Sequence, residues 1–327
     1  MTRVIRFHQT GGPEVQKIEE LPLPPPGRGQ VQIRVQAIGV NRSDLLYRAG
    51  LHPLQPVMPS GNGSEASGVV VDTGAGVSGF APGERVTVVP RMAPEEGTYA
   101  EVINMAEKYV MKATPWLSTA EEAAFWASFL TAYGGLIDAG GLVAGDFVVL
   151  PAASSTVGLA AIQIANAIGA APLAVTRSAS KAERLREAGA ARVFVSGRDD
   201  LAGEIIHATG GRGARVVFDP VGGEQTLALA EGMARGGRYV LYGAMGGQTP
   251  FPVMAAFDKL ITMGVFRLDY GNRLEELPRG RAFLENGLAK GLLHPVIDRT
   301  YPFEAVVEAH RYVESDRQFG KVVLTLD

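Results

Sequence analysis

Residues 146–177 read DFVVLPAASSTVGLAAIQIANAIGAAPLAVTR, and this stretch decides the fold. It begins with a short apolar run, Phe147–Leu150, whose composition is typical of a strand buried on both faces. From Gly158 to Gly169 apolar residues recur at helical spacing, and a second apolar run follows at 173–175. The stretch therefore predicts a βαβ unit with a tight turn after its first strand. Such a turn aims backbone N–H groups and a helix N-terminus at one point, which suits a pyrophosphate.

The turn itself lacks the complete G-x-G-x-x-G fingerprint of dinucleotide-binding proteins. In that register the three glycine positions hold Ala153, Ser155 and Gly158, so only the last glycine is kept. Gly158 permits close packing of helix on strand, and the two small residues leave room for a phosphate. The hydroxyl groups of Ser154, Ser155 and Thr156 can donate hydrogen bonds, but they can also serve only as helix caps. The turn alone leaves both interpretations open.

The residues at the end of the second strand favour binding of a cofactor whose ribose carries a phosphate. Proteins that bind NAD need an acidic residue there for the ribose 2′-hydroxyl. Here the strand runs into Arg177 and Ser178, with Lys181 three residues further on and no carboxylate before Glu183. A guanidinium fork and an ammonium suit a 2′-phosphate, whereas cations that only begin a helix would oppose its dipole. The pattern predicts NADPH rather than NADH as the cofactor.

Length, charge and composition limit the other possibilities. The 327 residues suffice for about two domains, and the net charge of −3 gives no reason to expect nucleic acid or an anionic membrane. No apolar run approaches the ~18 residues of a membrane span, and no signal-peptide core follows the first residues. The lack of cysteine excludes disulfides, a thiol nucleophile and zinc sites with Cys ligands. We expect a cytoplasmic protein.

The remaining chain divides into a β-rich part and an α/β part. Before about residue 120, alternating apolar and polar residues, as at 31–35, predict half-exposed strands and a barrel-like domain. Residues 120–140 predict one helix with Ser118 or Thr119 as its N-cap. After the βαβ unit, four further apolar runs complete six parallel strands joined by crossover helices, which predicts a doubly wound sheet. These runs are 192–195, 215–218, 238–242 and 264–268.

Two turns of small residues follow strands of this predicted sheet, at 219–223 (DPVGG) and 242–247 (YGAMGG). In an open α/β sheet, ligands lie outside the carboxyl ends of the strands. We therefore expect both turns to border the cofactor.

Several short motifs occur along the chain in a characteristic order. They are GVNRSD at 39–44, GNGSEASG at 61–68, PGERV at 82–86, GTYAE at 97–101, TAY at 131–133 and GK at 320–321. In this order and spacing, over essentially its whole length, the chain resembles the medium-chain dehydrogenase/reductases. The resemblance implies an α/β protein with a GroES-like β-barrel catalytic domain, a doubly wound parallel-sheet (Rossmann) domain and an active site in the cleft between them. It implies a catalytic domain of residues 1–122, completed by 268–327, and an NADPH-binding domain of residues 123–267.

The predicted turns and the resemblance together give a set of candidate cofactor-binding residues. They are Thr131, Ser154, Ser155, Thr156, Val157, Gly158, Arg177, Ser178, Lys181, Tyr242, Gly243, Phe266 and Lys321.

The resemblance is to the zinc-free branch of the superfamily. Zinc-dependent alcohol dehydrogenases place a cysteine where Asn41 stands and a histidine where Ser64 stands. Asn41 and Ser64 are poor zinc ligands, and Glu65 with Asp44 would leave a site short of nitrogen and sulfur donors. We therefore expect no metal. The chain is similar to NADPH:quinone oxidoreductases of the zeta-crystallin type and to 2-enoyl thioester reductases, both of which reduce an electron-poor C=C bond or its vinylogue.

The two subfamilies are not separated by these motifs. Trp126 and residues 154–158 are similar to the enoyl reductases, whereas residues 48–51 and 59–61 are similar to the quinone reductases. We expect an NADPH-dependent reductase of quinones or enones. The alternatives are a trans-2-enoyl thioester (CoA or ACP) reductase and, in a different class, a low-turnover NADPH-binding sensor or structural protein.

The candidate catalytic residues are Asn41, Tyr47 and His52, which could polarise the acceptor or protonate the product. Where both subfamilies have a tyrosine, this chain has the segment AGLHP at 49–53. His52 is a competent acid near neutral pH, although a solvated loop histidine explains it equally well. Tyr47 is the second candidate and could instead pack in the core.

The resemblance also implies a homodimer, with the strand at 264–268 pairing across a two-fold axis. An apolar edge strand is an aggregation hazard unless it is covered, which agrees with this expectation.

Overall fold

The computed structural model describes residues 1–91, 97–197, 200–268 and 277–326. The strands in these ranges are β1 Thr2–Phe7, β2 Gln16–Leu21, β3 Gln30–Val40, β4 Ala66–Thr73, β5 Arg85–Val88, β6 Val102–Ala106, β7 Val110–Lys112, β8 Phe147–Leu150, β9 Ala171–Thr176, β10 Arg192–Val195, β11 Ala214–Asp219, β12 Met233–Leu241, β13 Thr262–Val265, β14 Ile297–Pro302 and β15 Lys321–Thr325. The α-helices in the same ranges are α1 Arg42–Arg48, α2 Thr119–Tyr133, α3 Thr156–Ala167, α4 Ala182–Glu187, α5 Leu201–Ala208, α6 Gln225–Glu231, α7 Val253–Lys259, α8 Leu277–Ala289 and α9 Val306–Glu314.

The chain forms two compact units. The first contains Met1–Ala127, Leu277 and Pro278, and the described residues from Pro295 onward, and the second contains Ser128–Leu268 and Arg279–His294. The sequence assigned everything after residue 268 to the first domain, so the position of Arg279–His294 differs from that expectation. The reason is a pair of hydrogen bonds between the side-chain amide of Gln163 and the backbone of His294, 3.0 and 2.8 Å long. Phe283 also packs on Tyr133, with ring centroids 5.1 Å apart.

The first unit is built around the long strand β3. Residues 31–38 of β3 pair with β4 on one side. On the other side, residues 30–34 pair with β6 and residues 37–40 pair with β15. The seven-stranded sheet has the order β14-β15-β3-β4-β5-β7, with β6 beside β3. The alternating residues of β3 bury Val31, Ile33 and Val35 in the core, as their spacing predicts.

The second unit contains a six-stranded parallel sheet with the order β10-β9-β8-β11-β12-β13. The chain begins at the centre, runs outward to one edge, returns and runs to the other edge, which is the doubly wound order. All six strands predicted from the sequence are present, and β8 and β10 have the predicted bounds. Strands β8, β9 and β11 are almost fully buried, which explains their continuous apolar composition.

The helix predicted over residues 120–140 changes its geometry near its end. Ser118 begins it with a capping box, because its N–H donates to Glu121 and its hydroxyl accepts the N–H of Glu121. α2 ends at Tyr133, and Gly134–Ala139 form a π-helix. A β-carbon on Gly135 would lie 2.1 Å from the ring of Phe218, so the glycine allows this segment to approach β11 closely.

Within the described residues, no helix combines the length and apolar character that crossing a membrane requires.

Candidate functional site

The turn between β8 and α3 places the start of a helix at the carboxyl end of a central strand. α3 begins at Thr156, two residues earlier than the sequence predicted, with Ser155 as its N-cap. The Ser155 hydroxyl accepts the N–H of Gly158 at 3.1 Å. A β-carbon on Gly158 would lie 2.5 Å from the carbonyl oxygen of Ala153, so glycine is required for this close packing. Ala152 has a φ of +50°, a left-handed conformation that costs energy in a residue other than glycine.

The cationic segment after β9 reaches this turn. Lys181 Nζ donates to Ser154 Oγ at 3.4 Å, so two predicted cofactor-binding side chains are in contact. Arg177 directly follows β9 and is exposed. The N–H of Ser178 donates to the Thr176 hydroxyl at 3.2 Å, and this bond fixes the chain as it leaves the strand. The segment therefore presents cations beside a turn whose backbone N–H groups can bind a phosphate.

The end of β12 contributes a second set of predicted residues. The ring of Tyr242 stacks on Phe218 with centroids 4.0 Å apart. Burial raises the pKa of Tyr242 well above its ordinary value, so the phenol stays protonated, although the side chain of Ser155 acts on its hydroxyl to lower the pKa. A β-carbon on Gly243 would lie 2.3 Å from the Pro220 carbonyl oxygen, so the turn at 242–247 approaches the turn at 219–223 closely.

Three more candidate residues of the nucleotide-binding region are Phe266, Thr131 and Val157. Phe266 follows β13, where its N–H donates to the Leu241 carbonyl at 2.8 Å. Its ring lies against Gly134, where an added β-carbon would be 2.5 Å away. Thr131 is half-buried on α2, and Val157 is half-buried in the first turn of α3.

Asp219 is a residue of this region whose importance the sequence reasoning missed. It is fully buried at the end of β11 and accepts hydrogen bonds from the Tyr239 hydroxyl at 2.6 Å and from the N–H of Val221 at 2.7 Å. Burial raises the pKa of Asp219 above its ordinary range. The carboxylate thus holds the 219–223 turn in place. An acidic residue between a buried strand and a Pro-x-Gly-Gly turn was the signal that could have identified it.

The first unit contains a buried polar cluster centred on Asn41. Asn41 is the N-cap of α1, and its Nδ2 donates to Glu65 Oε1 at 2.9 Å and to Ser64 Oγ at 3.2 Å. Lys321 Nζ donates to Asn41 Oδ1 at 2.7 Å and forms an ion pair with Glu65. Because an ammonium can only donate, the carbonyl side of the amide must face Lys321 and its NH₂ group must face Glu65 and Ser64. The orientation of the Asn41 amide is therefore fixed.

The resemblance implies that Asn41 and Ser64 of this cluster occupy the positions at which the zinc enzymes have a cysteine and a histidine ligand. Among the residues that the structure describes, no group of three or more His, Cys, Asp or Glu side chains is placed to hold a metal ion. Gly39 makes the cluster compact, because a β-carbon there would lie 2.1 Å from the Ala123 carbonyl and 2.6 Å from Glu65 Oε1. Lys321 was predicted to bind the cofactor. Its Nζ is engaged with Asn41 and Glu65 at full burial, and the cofactor contact stays a prediction.

A second polar chain joins the cluster through Asp44, which is 4% exposed. Asp44 Oδ2 accepts from the N–H of Asn41 at 2.9 Å and from the Tyr99 hydroxyl at 3.3 Å. Tyr99 in turn contacts His310 Nε2 at 3.1 Å, and His310 Nδ1 lies 3.0 Å from Arg48 Nη1. Burial raises the pKa of Asp44 to about 7 and lowers that of His310 to about 3.

The sequence reasoning considered Asp44 only as a poor zinc ligand and did not consider Tyr99 or His310. The spacing of residues along the sequence gave no signal for these hydrogen bonds, because Tyr99 and His310 are 211 positions apart.

The two remaining catalytic candidates are neighbours. Tyr47 is 3% exposed, and its hydroxyl lies 3.0 Å from Ser60 Oγ. The ring of His52 is half-buried, with its centroid 6.2 Å from that of Tyr47. His52 Nδ1 accepts the N–H of Leu54 at 3.0 Å. Tyr47 therefore packs in the core of the first unit, and His52 stabilises its own loop. Their catalytic roles stay predictions.

Each of the two units contains a region that matches a known protein family. Residues 27–115 match the family model described as the alcohol dehydrogenase GroES-like domain, and residues 156–280 match the one described as zinc-binding dehydrogenase. The human protein quinone oxidoreductase is 31% identical over 330 residues, which cover 100% of this chain and 98% of that relative.

Solved structures of other proteins have a similar fold over almost the whole chain. Escherichia coli quinone oxidoreductase complexed with NADPH has a TM-score of 0.90 and 29% identity, covering 99% of this chain and 100% of the other. A structure described as an NAD-dependent alcohol dehydrogenase has a TM-score of 0.90 and 33% identity, covering 99% and 100%. The predicted fold class, a GroES-like domain with a doubly wound parallel-sheet domain, is confirmed.

Proposed function

Because the chain belongs to the quinone oxidoreductases of the medium-chain dehydrogenase/reductase superfamily, we propose that it reduces quinones or the electron-poor C=C bonds of enones with NADPH. The cofactor would supply a hydride from nicotinamide C4. The chain's own residues bind and orient the two reactants and supply the proton that completes the reduction.

The observation that carries this proposal is the buried cluster of Asn41, Ser64, Glu65 and Lys321. A zinc alcohol dehydrogenase needs nitrogen and sulfur ligands in this place, and these side chains offer an amide, a hydroxyl and an ion pair instead. A conjugated carbonyl accepts a hydride without a Lewis acid on an alcohol oxygen. Ser64, which is half-buried, is the hydrogen-bond donor of the cluster that could meet the negative charge that develops on the oxygen of such an acceptor.

Two features of the second unit fit a dinucleotide. The absence of a β-carbon at Gly158 permits the close packing of α3 on the turn, whose small residues leave space for a pyrophosphate. Ser154, Ser155 and Thr156 stand at the helix N-terminus, where backbone N–H groups favour an anion.

The preference for NADPH over NADH rests on Arg177 and Lys181. Both follow β9, where a 2′-phosphate on the ribose would need cations, and Lys181 already reaches the turn at Ser154. Both groups can form charge-assisted hydrogen bonds to a phosphate.

The proposal includes a homodimer formed through β13. This strand lies at one edge of the parallel sheet, and Val265 at its end is 82% exposed. Met254 and Phe257 of the neighbouring helix α7 are 77% and 83% exposed. A second copy of the chain would cover these apolar side chains and pair the edge strand. A cytoplasmic location is the remaining part of the proposal.

The decisive experiment measures steady-state oxidation of NADPH by the purified protein with a panel of quinones, enones and enoyl thioesters. We expect turnover with quinones or enones. A much higher kcat/KM for enoyl thioesters would identify the chain as an enoyl reductase. Tight NADPH binding without turnover of any acceptor would identify a sensor or structural protein.

A further inference from the structure

Ser64 links the buried carboxyl of Asp44 to the half-buried edge of the Asn41 cluster. Its hydroxyl accepts a hydrogen bond from Asn41 Nδ2 at 3.2 Å and lies 3.4 Å from Asp44 Oδ1. Ser64 is half-buried, whereas Asp44 is 4% exposed. Of these two side chains, the serine hydroxyl is therefore the more accessible to a small molecule.

The two oxygens of Asp44 have different surroundings. Oδ2 accepts two hydrogen bonds, from the N–H of Asn41 and from the Tyr99 hydroxyl. Oδ1 accepts a hydrogen bond from the Ser64 hydroxyl at 3.4 Å. A backbone N–H can only donate, whereas a serine hydroxyl can also accept, so a proton bound to Asp44 resides on Oδ1 and turns the Ser64 hydroxyl into its acceptor.

Arg48 and His310 set the direction in which the Tyr99 hydroxyl points. Arg48 can only donate, so His310 Nδ1 must accept from it and His310 Nε2 must carry the hydrogen. Nε2–H then donates to the Tyr99 oxygen, and the hydrogen of Tyr99 can only point to Asp44 Oδ2. The low pKa of His310, about 3, keeps the imidazole in this neutral state.

We propose that Ser64 donates the proton that completes reduction of the acceptor and that Asp44 Oδ1–H replaces the proton on Ser64. The inference rests on the proposed function, because it requires an acceptor that gains a hydride. It assigns a proton donor that is neither Tyr47 nor His52.

With an enone, the β-carbon would take up the hydride that NADPH supplies, and the electron pair of the C=C bond would move onto the carbonyl oxygen as an enolate. The Ser64 O–H bond breaks as its proton passes to that oxygen, while the proton of Asp44 passes to Ser64 Oγ. Asp44 is left as a carboxylate and takes a proton from solvent, and the enol converts to the ketone. Hydrogen bonds of 3.4 Å in a free enzyme commonly shorten when substrate binds.

The charged and titratable groups around Asp44 permit both of its protonation states near neutral pH. Glu65 before β4 opposes its ionisation, whereas Lys321 of β15 and the hydroxyl of Tyr99 favour it. His310 of α9 and Arg48 of α1 act through Tyr99. Burial has the largest effect, and the resulting pKa is about 7. Because the protonated form is the donor, activity should be constant at low pH and fall as pH rises through about 7.

The test compares Ser64→Ala with Ser64→Thr, which restores a hydroxyl, and with Asp44→Asn, which keeps hydrogen-bonding groups but cannot supply the proton. We expect Ser64→Ala to lower kcat for enones by ~100-fold, the typical effect of losing a general acid. Ser64→Thr should recover most of that loss. Asp44→Asn should remove the fall of kcat above pH 7 and reduce the solvent deuterium isotope effect. NADPH affinity, measured by fluorescence titration, should stay within about twofold in all three variants and in the control Ser78→Ala, an exposed serine.

The outcomes separate the two proposals. If the wild-type protein reduces no quinone or enone, the proposed function fails. If it does and Ser64→Ala keeps the wild-type rate and pH profile, only the assignment of Ser64 fails. The assignment also fails if His52→Ala, rather than Asp44→Asn, abolishes the fall in rate above pH 7. Thermal unfolding of each variant shows that a lost rate is not a lost fold.

Discussion

The ammonium of Lys321 and the carboxylate of Glu65 form an ion pair in which the two side chains are 0% and 1% exposed. The residues are 256 positions apart, and Asn41 lies against both. Each charge depends on the other, because removal of either side chain would leave a buried charge without a counter-ion.

We predict that Lys321→Met or Glu65→Leu alone lowers the free energy of unfolding by about 3–5 kcal/mol, since each leaves an uncompensated buried charge. The double variant should be less destabilised than either single variant. Denaturant unfolding measures this, with Lys112→Ala as the matched control. Lys112 pairs with Glu84 at the surface, where such a bond contributes at most ~1 kcal/mol. Equal effects of the buried and exposed substitutions would contradict the prediction.

The pH dependence of stability should reveal Asp44. Its pKa is raised to about 7 in the folded protein, so the folded state retains a proton that the unfolded state has lost. The stabilisation is fully present below the unfolded pKa of about 4 and is lost as pH rises through about 7. The free energy of unfolding of the wild type, measured relative to Asp44→Asn, should therefore decrease between pH 5 and pH 8. A difference that does not change with pH would show that the carboxyl is not perturbed.

Cofactor preference should depend on the cations after β9. We predict that the wild type binds NADPH at least tenfold more tightly than NADH and that Arg177→Ala removes most of this difference, because a charge-assisted hydrogen bond to the 2′-phosphate contributes about 1.5–3 kcal/mol. NADH affinity should not change. Arg186→Ala on α4, whose guanidinium pairs with Glu183, is the control. Equal wild-type affinities for the two cofactors would disprove the preference.

Ser155 should affect both stability and cofactor binding. It caps α3 through Gly158, so Ser155→Ala should lower the free energy of unfolding by about 1 kcal/mol. Its loss should also weaken NADPH binding several-fold, as measured by titration calorimetry. Tyr242→Phe keeps the ring on Phe218 and removes only the hydroxyl. If Ser155→Ala weakens binding and Tyr242→Phe does not, the serine acts on the cofactor directly; unchanged binding in both would remove Ser155 from the site.

The homodimer can be tested at β13 and α7. Light scattering at micromolar concentration should give twice the chain mass of 34.6 kDa. Phe257→Lys together with Val265→Lys should give monomers, because each places a charge in the apolar surface that the second copy would cover. Lys substitution of Leu227, a 42% exposed residue on α6, should leave the mass unchanged. A wild-type mass of one chain would contradict the dimer.

The sequence was sufficient for the parallel sheet of the second unit because its signals are local. Continuous apolar runs located all six strands of the parallel sheet, and the small residues after β8 located the turn. The same signals predicted one ordinary helix over residues 120–140, whereas Gly134–Ala139 form a π-helix whose Gly135 lies close to the ring of Phe218 on β11. Periodicity describes which face of an element is apolar and not which partner it meets.

The sequence by itself also determined that no cysteine ligand is available, and the family resemblance implies that Asn41 and Ser64 stand where zinc enzymes have their ligands. Only the tertiary structure decided what these residues do instead. Antiparallel pairing of β15 with β3 sets Val322 opposite Val40, which brings Lys321 to Asn41 and Glu65. Helix α9 similarly brings His310 to Tyr99 and thereby orients the hydroxyl that holds Asp44. Hydrogen bonds between residues this far apart depend on strand register and helix packing, and neither can be read from the spacing of the residues along the chain.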